Sequence, residues 1–303
     1  MKNLIIGVAS MMMIGLIIGL IIYQSPSLTM PPQLNNQVLQ NKEEVQPLYA
    51  DHTIDYSLQN EQLNITFDKG MSWITVPVEV DALFDGEYRG NKQKLIDDSY
   101  ILTEDRVAFL YSVGADWKNK KIILTYSLDQ GKTWKDVVVT EPYPAIRFRK
   151  VAFLNDDFGY VIISGGRTMS QELSSVFITD DGGENWKETN NSGATRLISD
   201  GGFTDEKTGF LSFGTINPEA PDLYVTQDAG SSWNRAAFNM PTKYNEIFVS
   251  AEIPIKKGND LVVFVNQGPN GDYEGGEVKG KFVSNDNGET WEFTMEVKPN
   301  ETE

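Results

Sequence analysis

The residues best equipped for chemistry in this sequence are carboxylates, and five of them recur in one pattern. Asp68, Asp129, Asp181, Asp228 and Asp286 sit in TFDKGMSW (66–73), SLDQGKTW (127–134), TDDGGENW (179–186), TQDAGSSW (226–233) and SNDNGETW (284–291). Such carboxylates suit acid–base catalysis or metal binding, but one active centre needs one set, not five. An Asp two residues before a turn glycine accepts backbone N–H hydrogen bonds and fixes the turn. The hydroxyls of Thr66, Ser127, Thr179, Thr226 and Ser284 do the same. Gly70, Gly131, Gly183, Gly230 and Gly288 fall where a tight hairpin needs positive φ. Trp73, Trp134, Trp186, Trp233 and Trp291 then open the returning strand and bury a large ring against it. The pattern predicts a structural role for all fifteen Asp, Gly and Trp residues.

Other reactive groups are sparse. His52 is the single histidine and there is no cysteine, which removes His-based metal sites, zinc–thiolate sites, disulfides and thiol catalysis. No G-x-S-x-G nucleophile motif or G-x-x-x-x-G-K-[ST] phosphate loop occurs. NQGPNGDYEGGE (266–277) carries Asp272, Glu274 and Glu277 but departs from the D-x-D-x-D-G calcium loop. No metal and no cofactor are expected. Arg147, Arg149 and Lys150 in AIRFRKV form the one compact basic cluster. On a regular strand the two arginines share a face, as an anion or peptide contact or, the favoured reading, paired with neighbouring acids. The formal charge of −17 disfavours nucleic acid, whose phosphates need a basic surface.

These residues need a repeating scaffold. The Asp-to-Asp steps are 61 (68 to 129), 52 (129 to 181), 47 (181 to 228) and 58 (228 to 286). A signature recurring at about 50 residues marks a propeller-like array with one supersecondary unit per repeat. Apolar runs precede the turns: VAFLYSV (107–113), YVIIS (160–164), FLSF (210–213) and LVVFV (261–265). Short runs apolar at every position fit strands buried on both faces. FLNDDFGY (153–160) and FTDEKTGF (203–210) repeat at the same period. The expected fold is an all-β β-propeller over residues 45–303, with five four-stranded blades ending near Val78, Val139, Thr189, Phe238 and Val297. VQPLYA (45–50) is the candidate inner strand of the first.

The five segments resemble Asp-box (BNR) repeats, found in sialidases, in sortilin-type domains and in photosystem assembly factors. The resemblance implies a turn between the third and fourth strands of each blade, away from the functional centre. It also raises a sialidase-like glycoside hydrolase as the enzyme alternative. Sialidases share three carboxylate-clamping arginines, a Tyr–Glu pair, an Asp acid/base and an early Arg-Ile-Pro-like motif. The arginines here are Arg89, Arg106, Arg147, Arg149, Arg167, Arg196 and Arg235, and AIRFRKV lacks the proline. The favoured expectation is a non-catalytic binding module, an assembly or scaffold factor being one form of it.

Residues 4–22 run for 19 positions without a charge, about 28 Å as a helix and close to the hydrocarbon thickness. With no cleavage motif at its exit, the stretch reads as a membrane anchor within 1–23 rather than a signal peptide. Residues 24–44, rich in Pro, Gln and Asn, read as a tether. Gly15 and Gly19 offer a G-x-x-x-G contact, or simply two small residues facing lipid. Lys2 ahead of the span places the propeller on the extracytoplasmic side of the cell membrane, single-pass. The expected partner is a protein or glycan at the cell surface, met by the long connections 81–99, 164–175 and 266–277. Tyr88, Arg89, Arg167 and Tyr273 are the best binding side chains there. An anchor predicts that the full-length protein stays in membranes through high-salt and carbonate washing. Recovery of a mature soluble form beginning near residue 25 would identify a signal peptide instead.

Overall fold

A computed structural model describes residues 53–169, 171–214, 217–269 and 271–298. The expected anchor, tether, inner strand at 45–50 and His52 lie outside the described residues. Among the described residues, no helix is long and apolar enough to cross a membrane.

Five antiparallel sheets follow one another along the chain. The first holds β1 (Asp55–Gln59), β2 (Gln62–Thr66) and β3 (Ile74–Thr75). The second is β4 (Tyr100–Leu102), β5 (Val107–Val113), β6 (Lys120–Ser127) and β7 (Lys135–Tyr143). The third is β8 (Ile146–Phe153), β9 (Gly159–Gly165), β10 (Leu173–Thr179) and β11 (Lys187–Glu188). The fourth is β12 (Leu197–Phe203), β13 (Gly209–Gly214), β14 (Asp222–Thr226) and β15 (Asn234–Arg235). The fifth runs β17 (Phe248–Ala251), β19 (Asp260–Gln267), β20 (Lys279–Ser284), β21 (Thr290–Val297), with β18 (Ile255–Lys257) on β19.

The apolar runs are the second strands, and their two faces serve different neighbours. Val107, Phe109 and Tyr111 of β5 join Leu63 and Ile65 of the first sheet, while Ala108 and Leu110 join Val151, Val161 and Ile163 of the third. Tyr160 and Ile162 of β9 turn instead towards Leu211 and Phe213 of β13, and Phe210 towards Val263, Phe282 and Trp291. Strand alternation with apolar contact on both sides removes the polar half of the pattern. This stacking of sheets is that of a β-propeller.

Four Asp-box turns join the third strand of a sheet to the fourth and the turn of the three-stranded first sheet joins β2 to β3, all with one hydrogen-bond set. The Ser/Thr hydroxyl donates to the Asp carboxylate at 2.7–2.8 Å and accepts the Gly N–H at 2.8–3.0 Å. The same carboxylate takes the backbone N–H four residues on at 2.8–2.9 Å, and that residue's side chain at 2.5–2.7 Å. Asn185 donates through its amide where the other copies use a hydroxyl, so the turn is preserved. The glycines lie at φ 77 to 95, and the residues before them (Lys69, Gln130, Gly182, Ala229, Asn287) at φ 57 to 74. Two successive left-handed residues make a tight turn, and the carboxylate stabilises the four non-glycine copies. Hydrogen bonds hold the carboxyls of Asp129 and Asp181 down at about 2, led by the Thr133 backbone N–H and the Asn185 side chain. A depressed folded-state pKa means the contribution is complete above the unfolded value near 4 and is lost as pH falls through about 2.

Two expectations need correction. Phe238 does not end the fourth sheet: β16 (Ala237–Asn239) crosses over and pairs in parallel with β21. There Phe238 stacks on Trp291, centroids 5.9 Å apart, and meets Phe282 edge-on. The box tryptophans are also unequally buried. Trp291 is fully buried, whereas Trp73, Trp134, Trp186 and Trp233 are half-buried. Trp291→Ala is therefore expected to cost about 3–5 kcal/mol, Trp134→Ala less, and Trp117→Ala under about 0.5 kcal/mol, Trp117 being 55 % exposed. Urea midpoints at constant slope measure the order, and equal losses at 117 and 291 would refute the packing role.

Candidate functional site

The turns sit at one end of the sheets, so the blade-to-blade and second-to-third strand connections emerge at the other. Residues 76–99 lead from β3 to β4 and begin with a helical turn, Val80–Leu83. Leu83, Phe84 and Leu95 are buried against Val107 and Phe109, which fastens the connection to the core. Asp85 is its polar anchor. Its carboxylate accepts Ser112 at 2.7 Å and the buried Lys120 ammonium at 2.9–3.0 Å. Gly86 at φ +109 is required here, because a Cβ would stand 2.2 Å from the Ile146 carbonyl oxygen. That same carbonyl accepts the Glu87 N–H at 2.8 Å.

Arg149 is fully buried, and its guanidinium donates to the carbonyls of Leu83 (3.1 Å) and Asp85. Burial lowers its pKa to about 10. Arg147 makes a double contact with Glu172, 2.6 and 2.5 Å, and donates to the Ile198 carbonyl at 2.6 Å. The two do not share a face, contrary to regular alternation. A bulge between Ile146 and Phe148 offsets the register, sending Arg149 to the 76–99 connection and Arg147 to the fourth sheet. The pairing reading holds for Arg147 and also for Lys150, which binds Asp200 at 2.7 Å.

The remaining proposed binding residues divide. Tyr88 lies on Phe84, centroids 5.0 Å apart, and its hydroxyl accepts the Lys92 N–H at 3.3 Å. Its neighbour Arg89 is exposed. Arg167 pairs with Glu87 at 3.1 Å, which brings the 164–175 and 81–99 connections together. Tyr273 belongs to the fifth sheet and packs edge-on to Tyr244 and Phe248. Its hydroxyl donates to Glu296 at 3.0 Å, and that bond chiefly raises its pKa to about 12.

The other arginines are also occupied. Arg106 donates to the carbonyls of Gly182 (2.8 Å) and Asp156 (2.9 Å) and lies 3.7 Å over the Phe153 ring. Arg196 binds Asp222 and the Tyr224 hydroxyl, and Arg235 reaches Asp222 at 3.2 Å. Three arginines converging on one open pocket are not present among the described residues. Nor does any group of three or more His, Asp or Glu there suit a metal ion.

Three clefts open among the described residues, one of about 400 Å³ between the β8–β9 and β12–β13 turns, lined by Leu154, Asn155, Thr204, Asp205, Glu206 and Lys207, and two others. One of about 310 Å³ lies at the connection end, lined by Gly166, Thr168, Gln171, Glu172, Leu173, Asn191, Ala194 and Thr195. Leu173 of that lining is 44 % exposed, and Met169, next to Thr168 in the chain, is 97 % exposed. Trp117, 55 % exposed, occupies the second-to-third connection of the second sheet at the same end. The other cleft, about 590 Å³, opens between the second and third sheets at the Asp-box end.

The BNR/Asp-box repeat family model matches residues 125–136, 177–188 and 282–293. The turns at 66–73 and 226–233, outside that match, carry the same hydrogen bonds. No curated protein matches the chain. Among solved structures, a protein of unknown function from Dyadobacter fermentans aligns at 14% identity and TM-score 0.40, over 67% of this chain and 70% of its own. A Hadza microbial sialidase aligns at 14% identity and TM-score 0.44, over 78% of this chain and 52% of its own, about half its length. A family 117 glycoside hydrolase from Zobellia galactanivorans aligns at 12% identity and TM-score 0.38, over 67% and 69%. Alignments this loose give no residue correspondence.

The connection end depends on Asp85. Asp85→Ala would leave the Lys120 side chain, 5 % exposed, with the Gly114 carbonyl and the Trp117 ring 5.9 Å away. A loss of about 2–3 kcal/mol is expected, below the figure for a fully buried pair, because Asp85 is partly exposed. Thermal unfolding measures it, and an unchanged melting temperature would show that the connection is held elsewhere.

Proposed function

We propose that this chain, an Asp-box repeat β-propeller, is a non-catalytic binding module of five blades. It is held to the cell membrane by residues 4–22, on the extracytoplasmic side. The observation that carries the binding role is the composition of the connection end. Trp117, Met169 and Leu173 are exposed there beside Arg89 and a cleft of about 310 Å³. Exposed aromatic, Met and Arg side chains are the composition of protein interfaces. The Asp-box end offers instead turns of one geometry. The expected partner is a protein or glycan at the cell surface, and scaffolding or assembly of a membrane complex is one form of this role.

The sialidase-like alternative needs a free arginine clamp. Arg106, Arg147, Arg149, Arg167, Arg196 and Arg235 are all committed to internal acceptors. The 19 uncharged residues at 4–22, the tether and the acidic composition support the tethered arrangement.

The surface is tested on the tagged full-length protein recovered from membranes with its partners. Arg89→Glu and Met169→Asp are each expected to weaken capture about tenfold, a loss of hot-spot size, with the melting temperature unchanged. Arg167 and Tyr273 are poorer probes, being tied to Glu87 and Glu296. Loss of capture on Lys132→Glu or Glu289→Lys, exposed in the Asp-box turns, would place the working surface at the opposite end.

A further inference from the structure

The cleft between the second and third sheets at the Asp-box end is an unassigned site. Its lining holds five carboxylates against one guanidinium. Asp105 comes from the β4–β5 turn, Asp156 and Asp157 from the β8–β9 turn, and Glu184 from the third Asp-box turn. Asp181 is spent within its own turn. The side chains of Asp105, Asp156 and Asp157 have no hydrogen-bond or ion-pair partner among the described residues. Arg106 lies within electrostatic range of Asp156 but makes no contact pair with it, its terminal nitrogens going to the Gly182 and Asp156 carbonyls.

A second observation is independent of that charge. Tyr126 lines the same cleft and is 1 % exposed, yet its hydroxyl has no hydrogen-bond partner. A phenol shut away from water normally finds a partner, so this oxygen is an acceptor and donor left vacant. Lys135, opposite Tyr126 in the β6–β7 register, places its ammonium 2.7 Å from Glu184, so one acid of the lining is already paired with a primary ammonium group.

We infer that this cleft binds an organic polycation through primary ammonium groups, held by Asp105, Asp156 and Asp157 with the Tyr126 hydroxyl as a further acceptor. At about 590 Å³ it has the size of a small-molecule site. A metal ion fits poorly, because no three carboxylates there form a ligand set. Tyr126 accepts one ammonium hydrogen while the carboxylates take the charge, and a polycation with spaced ammonium groups reaches acids that lie too far apart to close on one ion. The site lies at the end opposite Met169 and Arg89 and does not depend on the partner surface there.

The same ammonium chemistry belongs to free polyamines and to lysines of a protein partner, and calorimetry on the full-length protein in nonionic detergent separates them. Spermidine and trilysine are titrated in about 0.15 M salt, where charges beyond about 8 Å are screened. At least one is expected to bind saturably with one site. Tighter spermidine binding marks a free polyamine, and tighter trilysine binding a lysine-bearing partner. Asp156→Asn with Asp157→Asn is expected to weaken the affinity about tenfold, from the loss of two charge pairs made by exposed acids. Tyr126→Phe should weaken it a few-fold, with Asp105→Asn as the alternative variant if either fails to fold. Mg²⁺ binding as tightly as spermidine, or variants binding like the natural protein, would overturn the assignment.

Discussion

Each sheet is closed at one end by a carboxylate that lies inside its own turn. Two consecutive residues there take the left-handed conformation, and in four of the five copies the first is not glycine. A single non-glycine residue at positive φ carries a steric cost. The Asp meets it by taking a hydroxyl, a backbone N–H and a second side chain at once, all within eight residues. Because the partners are local, the turn forms alike in every copy whatever packs around it. It therefore sets where each outer strand begins. It also turns the indoles of Trp186 and Trp291 so that each N–H reaches the glycine carbonyl of its own box.

That locality explains what could be read in the sequence. The boxes were legible because every atom of the motif lies in one short segment. The second strands were legible because β5, β9 and β13 each sit between two sheets, which leaves no polar face. What escaped depends on distant residues. The bulge that parts Arg147 from Arg149 leaves no signature in AIRFRKV. Phe238 follows a Trp-bearing segment like any other, yet crosses to Trp291 because Phe282 and Trp291 complete an aromatic stack there. The same crossing buries Trp291 while its four counterparts stay half-buried, so identical motifs have unequal energetic weight. Asp85, in a connection that reads as a partner-contacting loop, gains its structural role only once Ser112 and Lys120 reach it.

The arginines carry a related lesson. In a chain of formal charge −17 they look like scarce binding groups. The fold uses most of them as joints instead. Arg106 ties the second sheet to carbonyls of the third, Arg149 ties the third to the connection after the first, and Arg147 ties the third to the fourth. A planar guanidinium with several fixed donors suits such junctions, where strand ends leave carbonyls unpaired. A clamp for a substrate carboxylate needs the same donors free. The two uses compete, and here the joints have taken the donors.

The two ends of the sheets must consequently tolerate change differently. At the Asp-box end the structural atoms are the Asp, the hydroxyls and the backbone, so the middle residues of each turn are free to vary in charge. Clefts between neighbouring turns can then acquire character one residue at a time, as Glu184 near Tyr126 illustrates. At the connection end the holding contacts are non-local, and most polar residues there already bear one: Asp85, Glu87, Arg147, Arg149, Arg167, Glu172. Freedom remains at side chains that face solvent without a structural bond, chiefly Arg89 and Met169 with the exposed part of Trp117. The side chains open to a partner at that end are thus few, set on connections whose rigidity comes from the residues around them.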